Sequence, residues 1–178
     1  MIFHKTKIEG VYVIEPELRS DERGYFTRMF CKKELAAAGI DFPEIVQGNR
    51  SRTLHKGTIR GMHYQIAPHG EDKVIQCVAG AIYDVVLDMR EGSSTFGQWV
   101  SEELTAENGK MFLVPKGCAH GFQTLTENCM VQYLLSAYYA SESERGVKWN
   151  DPQFGIAWPI ADTGISEKDA NWPLYDGK

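Results

Sequence analysis

Ten short runs rich in Val, Ile, Tyr and Phe, separated by turn signals, restrict this 178-residue chain to an all-β fold. The runs are GVYVIEP, GYFTRMF, EIVQGN, GTIRGMHYQ, KVIQCVAG, AIYDVVLDM, QWVSEEL, KMFLVP, GFQTL and CMVQYLLSAYY. Turns are expected at Ala79-Gly80, 90–94, 107–109, Lys116-Gly117 and 126–128, where Gly, Asn and Ser break the apolar pattern. Only CKKELAAAGI, an Ala-rich stretch closed by Gly39, reads as a helix. About ten strands at this spacing predict a jelly roll or a similar sandwich, with a few short helices. No repeat, low-complexity tract or linker divides the chain, so residues 1–178 are expected to form a single domain. The tail after Trp149 carries three Pro and two Trp residues, and its aromatics are expected to close one end of the barrel.

The formal net charge of -5 offers no basic face for nucleic acid or for an anionic membrane surface, so an anionic ligand has to be met by a local cluster of cations. The four cysteines form no C-x-x-C pair and no disulfide framework is expected. The amino terminus, MIFHKTKIEG, has charges where a signal peptide needs an apolar run, and no stretch approaches the ~20 apolar residues of a membrane span. A cytoplasmic protein is the expectation.

Two spacings carry the chemistry. The first runs Gly57, His63, Gln65, Lys73, Gly80; the second runs Gly109, Pro115, Gly117, His120, Thr124. They resemble the two metal-site motifs of the cupin superfamily, whose fold is the double-stranded β-helix, but Gln65 and Lys73 stand where that pattern has a His and a Glu. An ammonium in place of a carboxylate repels a divalent cation, so no metal is expected here and an anionic ligand is. Strand alternation places His63 and Gln65 on one face, Lys73 and Ile75 on another shared face, and Asp84 with Ile82 and Val86. Arg60 falls at the rim, where Gly61 can introduce a bulge. Tyr133 and Tyr139 suit either a pocket wall or ordinary packing.

The stretches DERGYFTRMF, QGNRSRTLHKGTIRGMHYQ, KVIQCVAGAIYDVVLDMREGSSTFGQW, PKGCAHGFQTL, YLLSAYYASESERGVKWNDPQFGIAWP and ISEKD follow one another in register over about 21–169. Together they resemble the dTDP-4-dehydrorhamnose 3,5-epimerase family. That resemblance implies a cupin-type jelly roll, a homodimer, and inversion of carbons next to a ketone in a nucleotide-diphosphate 4-keto-6-deoxy sugar, with no cofactor. By position, His63 matches the catalytic base, Asp169 its dyad partner, and Tyr133 the acid on the opposite face of the ring. Lys73 is placed to stabilise the enolate oxygen. Arg23, Arg60 and Lys168 are implied for the pyrophosphate; Gln47, Asn49, His120 and Glu144 for hydrogen bonds to the ligand; Tyr139 for stacking on the base. Read without the resemblance, Asp84 is an alternative partner for His63.

The chain departs from the family pattern at Arg28, where RGYFTRMF replaces a Glu that lies at the nucleoside, and at Gln76 and Leu134, which replace cations. The nucleotide is therefore left open among dTDP, CDP and GDP, and the inversion among C3, C5 or both. A sugar-nucleotide ketoisomerase, a metal-dependent cupin and a non-catalytic sugar-binding cupin remain as alternatives.

Overall fold

Runs that are apolar at nearly every position form strands buried on both faces. The computed structural model describes residues 1–161 and 164–177 and stacks two antiparallel sheets. The first sheet has the order β1 (Ile2–Lys5), β2 (Tyr12–Glu15), β10 (Met111–Val114), β7 (Lys73–Ala79), β12 (Cys129–Leu135) and β5 (Gln47–Thr53). The second has the order β13 (Glu144–Gly146), β6 (Ile59–Gln65), β11 (Cys118–Thr124), β8 (Ala81–Asp88) and β9 (Trp99–Thr105). This is the jelly roll that the strand spacing predicts. A separate hairpin, β3 (Arg19–Asp21) and β4 (Gly24–Phe26), stands apart from both sheets. The helices are short: α1 (Lys32–Ala37) falls inside CKKELAAAGI, and α2 (Glu167–Ala170) lies near the carboxyl end.

In β10, Phe112 and Val114 enter the core between the sheets while Met111 and Leu113 face outward, and β8 divides Ile82 and Val86 from Val85 and Leu87 in the same way. Each outward row needs a cover. Leu35 of α1, with Ile40 and Phe42, packs over the first sheet, and Val147, Phe154, Trp158 and Tyr175 pack over the second. Most tail aromatics therefore lie on a sheet face and not across a barrel end, because Val85 and Leu87 would otherwise be left in water. Trp172 alone among the tail tryptophans turns toward β6, against Gly146 and His63.

The structure has thirteen strands among the described residues, where the sequence shows about ten runs. β1, β3 and β13 lie outside those runs, and β5 extends through the polar residues QGNRSRT. β1, β5 and β13 are edge strands, and β3 pairs only with β4. Pairing on one side alone leaves a strand free to be polar, which removes the apolar signal.

The sheet irregularity that matters most is in β6. Opposite β11, the register passes from His120↔His63 to Phe122↔Arg60, so Gly61 and Met62 together oppose Gly121. Simple alternation would send Arg60 and His63 to opposite faces; the extra residue turns both toward the space between the sheets. The bulge requires glycine. Gly61 has φ +124°, and a Cβ there would lie 2.5 Å from Gly121 Cα and 2.8 Å from the His120 carbonyl oxygen.

Candidate active site

The two sheets separate at one end around a cavity of about 580 Å³. β5, β7 and β12 supply one wall, β6 and β11 the other. Gln47, Asn49, Arg60, His63, Lys73, His120, Tyr133, Tyr139, Glu144 and Asp169 all line it. Lys168 sits at the mouth with its ammonium 2.7 Å from each Glu144 oxygen. Arg23 is elsewhere. It lies on the β3–β4 hairpin, 84% exposed and 2.6 Å from Asp21, so within one chain it takes no part in the cavity.

His63 and Asp169 form a short pair, Nε2 to Oδ1 at 2.6 Å, although 106 residues separate them. A short helix achieves this: α2 is capped by the Ser166 hydroxyl, which accepts from the Asp169 amide at 3.1 Å, and the Gly61 amide donates to Asp169 Oδ2 at 3.2 Å. Burial works to raise the Asp169 carboxyl, but the hydrogen bond and charge of His63 outweigh it and hold the group below its usual range. An ionised carboxylate only accepts, so the proton of that bond sits on His63 Nε2 and leaves Nδ1 with a lone pair when the ring is neutral. Trp172 packs edge-on to the same imidazole with ring centroids 6.1 Å apart.

Tyr133 stands on the facing sheet, register partner of Asn49 on β5 and Ile75 on β7. Its hydroxyl lies 3.3 Å from Ser51 Oγ, and burial pushes the phenol well above its ordinary value. His120, directly opposite His63 across β6 and β11, meets Tyr133 edge-on at 6.2 Å. Its Nε2 is 2.7 Å from Asp84 Oδ1. Asp84 is thus the partner of His120 and not of His63, because the β8–β11 register sets it opposite Phe122, two residues from His120. Burial raises the Asp84 carboxyl against the pull of His120, and its Oδ2 has no hydrogen-bond partner among the described residues.

Lys73 is 8% exposed, and its ammonium lies 2.8 Å from Glu71 Oε1. At the mouth, the Tyr139 hydroxyl donates to Glu144 Oε2 at 3.0 Å and its amide donates to Gln47 Oε1 at 3.2 Å. Burial raises the Glu144 carboxyl, but hydrogen bonds from Lys168 and Tyr139 prevail and keep it low. Arg60 donates to Thr53 Oγ1 at 2.8 Å and to the Arg52 carbonyl at 3.3 Å, and Arg50 lies against the Gln132 amide. Glu71, Arg50 and Trp172 belong to the site without having been singled out in the sequence. Glu71 and Arg50 sit in segments with no apolar periodicity, and the place of Trp172 depends on where a tail folds back.

Arg28, the reversed charge near the expected nucleoside end, is bound by Glu34 and lies away from this cavity, in a shallow depression beside Met1 and Glu17. No group of three or more His, Cys, Asp and Glu able to hold a metal occurs among the described residues. No helix of the described residues is long and apolar enough to cross a membrane.

An all-β sandwich with a part-buried His–carboxylate pair, a facing tyrosine and lining cations suits proton transfer on an anionic ligand. Comparison with known proteins agrees. Residues 5–176 match the sequence profile of dTDP-4-dehydrorhamnose 3,5-epimerase. The protein of that name from Sinorhizobium fredii is 42% identical, covering 97% of this chain and 89% of its own. The Bacillus anthracis dTDP-4-dehydrorhamnose 3,5-epimerase, solved with TDP and PPi bound, superposes with a TM-score of 0.94 at 41% identity over 98% of this chain and 99% of its own. ChmJ, a 3'-monoepimerase from Streptomyces bikiniensis solved with dTDP-quinovose, gives a TM-score of 0.88 at 38% identity over 96% of this chain and 86% of its own. Sequence profile, relatives and superposed folds converge on one conclusion: the chain belongs to the dTDP-4-dehydrorhamnose 3,5-epimerase family of isomerases.

Proposed function

We propose that this protein inverts C3, C5 or both of a nucleotide-diphosphate 4-keto-6-deoxyhexose, by proton exchange through an enolate and without a metal or organic cofactor. The observation that carries this reading is His63 of one sheet paired at 2.6 Å with Asp169 of α2, with Tyr133 on the sheet that faces it. A C4 ketone delocalises the electrons left when a neighbouring C–H is deprotonated, so the substrate is its own electron sink. The protein then needs a base on one side of the ring, an acid on the other and positive charge at the oxygen.

His63 is the base: with Nε2–H donated to Asp169, its Nδ1 lone pair takes the proton, and the carboxylate stabilises the imidazolium that results. Tyr133 returns a proton from the opposite face, and a phenol held above its ordinary value keeps that proton ready. Lys73 supplies a donor for the enolate oxygen, and His120, on the same cavity wall as His63, hydrogen-bonds the ligand. Arg60, whose protein partners are neutral groups, binds the pyrophosphate in a forked contact. Gln47, Asn49 and Glu144 hydrogen-bond the ligand, Tyr139 stacks on the base, and Lys168 holds Glu144 in place at the mouth.

Arg23 has a role only if a second copy brings its hairpin to this cavity, and the hairpin is built for contact: Tyr25 and Phe26 are 58% and 64% exposed. A cytoplasmic homodimer is the assembly that fits, and TDP, as seen in the Bacillus anthracis relative, is the nucleotide expected to bind. Incubation with dTDP-, CDP- and GDP-linked 4-keto-6-deoxyhexoses in heavy water, followed by NMR, tests the reading. Loss of the H3 or H5 signal with the 4-ketone retained supports it and names the carbon. Migration of the carbonyl, or no exchange with any of the three, overturns it.

A further inference from the structure

Gln65 and Lys73, the two positions that depart from the metal-binding spacing, converge on one carboxylate. Glu71 precedes β7, lines the cavity, and has a side chain only 10% exposed. One of its oxygens lies 2.8 Å from the Lys73 ammonium, and the other accepts from Gln65 Nε2 at 3.2 Å. The same amide nitrogen donates to the carbonyls of His69 and Tyr138, at 2.9 Å and 3.2 Å, while Gln65 Oε1 accepts from the Ala140 amide at 2.6 Å. Gln65 therefore joins Glu71 to the connection that follows β12, on which Tyr139 stands at the cavity mouth.

A nearly buried ammonium needs a counter-ion. Among the described residues Glu71 is the one carboxylate within ion-pair distance of Lys73. Without it, the lysine turns toward solvent and no longer faces a developing enolate. A glutamate also sets direction, since its own second oxygen is fixed by Gln65. The surrounding scaffold does not depend on this pair. Ser136 Oγ accepts from the Asp72 amide at 2.8 Å, and the Ser136 amide donates to the Asp72 carbonyl at 3.0 Å, clasping the two connections independently.

We infer that Glu71 is a positioning residue for the epimerisation: it holds the Lys73 ammonium at the enolate oxygen and, through Gln65, ties that placement to the segment bearing Tyr139. The inference rests on the role given to Lys73 in the proposed function. Its test is a double-mutant cycle on the full-length protein, with Glu71→Gln, Lys73→Met and both together, read by the rate of ring-hydrogen exchange with deuterium and by TDP affinity. Glu71→Gln should lower kcat at least about tenfold while TDP affinity stays within about twofold. Glu71→Asp should recover part of the loss. The double variant should be no slower than Lys73→Met alone, because Glu71 acts only through that lysine. Wild-type kcat in Glu71→Gln, or losses that add in the double variant, or parallel loss of kcat, TDP affinity and melting temperature, each overturns the inference. If the unaltered protein exchanges no ring hydrogen, the epimerase reading itself falls, an outcome distinct from all of these.

Discussion

At the scale of single residues, the proposed mechanism gives proton removal to His63 and proton return to Tyr133. His63→Ala removes the base but leaves Arg60, Asn49 and Tyr139 in place, so exchange of ring hydrogens should fall about a thousandfold while TDP affinity changes little. Equal loss of exchange and binding would show that His63 serves the pocket and not the chemistry. Tyr133→Phe is expected to behave differently. Proton removal by His63 survives, so recovered substrate should still gain deuterium, while formation of inverted product falls about a hundredfold. The two variants together distinguish a two-residue mechanism from one in which a single group works both faces. The residues legible in the sequence were those inside dense strand motifs, such as His63 in RGMHYQ and His120 in PKGCAHGF. Glu71 was not, because an isolated acid in a connection has no periodicity to mark it. Asp84 was legible as inward-facing, but only the register of β8 against β11, Asp84↔Phe122 beside His120↔Val86, shows which histidine it meets.

At the scale of elements, the β6 bulge and the β3–β4 hairpin carry the most specific consequences. Gly61→Ala places a Cβ 2.5 Å from the Gly121 Cα at a φ of +124°, so either the bulge flattens or β6 and β11 part. Destabilisation of about 3 kcal/mol or more follows, with a melting midpoint lower by about 10 °C. Flattening would also turn Arg60 away from the face of His63, so the surviving folded protein should bind TDP more weakly. A variant with wild-type melting and affinity would remove the bulge from the account. The hairpin makes a separate prediction. Phe26→Asp puts a charge on a side chain that is 64% exposed within one chain, so the fold should be unaffected. If that ring is covered by a second copy, sedimentation should show a shift from dimer to monomer, with TDP affinity falling as Arg23 is withdrawn. The apolar strands of this fold could be read directly, since β8, β10 and β11 are covered on both faces. The polar strands could not: β5 has a cavity on one side and no neighbour beyond it, so nothing in QGNRSRT alternates.

At the scale of the whole molecule, a chain of net charge -5 has to attract the proposed ligand, which carries a pyrophosphate. The resolution lies in how the acids of the cavity are spent. Glu71 faces Lys73, Glu144 faces Lys168, and Asp169 faces His63, so each carboxylate is matched by a cation or a ring that becomes one. Arg60 and Arg50 are held instead by neutral groups, a hydroxyl, a carbonyl and an amide, which fix their geometry, and among the described residues neither has an ion-pair partner. Field lines from these two arginines are focused by the low-dielectric walls between the sheets, while the surplus negative charge is spread over the exterior. Composition alone indicates only that such a cluster must exist; its location depends on β5 and β6 meeting across the cavity. The attraction is long-range, and salt should therefore weaken it. Raising ionic strength from about 50 mM to about 500 mM shortens the screening length to a few ångströms, so KM should rise severalfold while kcat, set by groups inside the closed contact with the ring, holds nearly constant. Arg60→Gln should raise KM at low salt and flatten that salt dependence, because the charge that responds to screening has been removed. A KM indifferent to salt would mean that the nucleotide is held by hydrogen bonds alone, and that these arginines do not draw the ligand in.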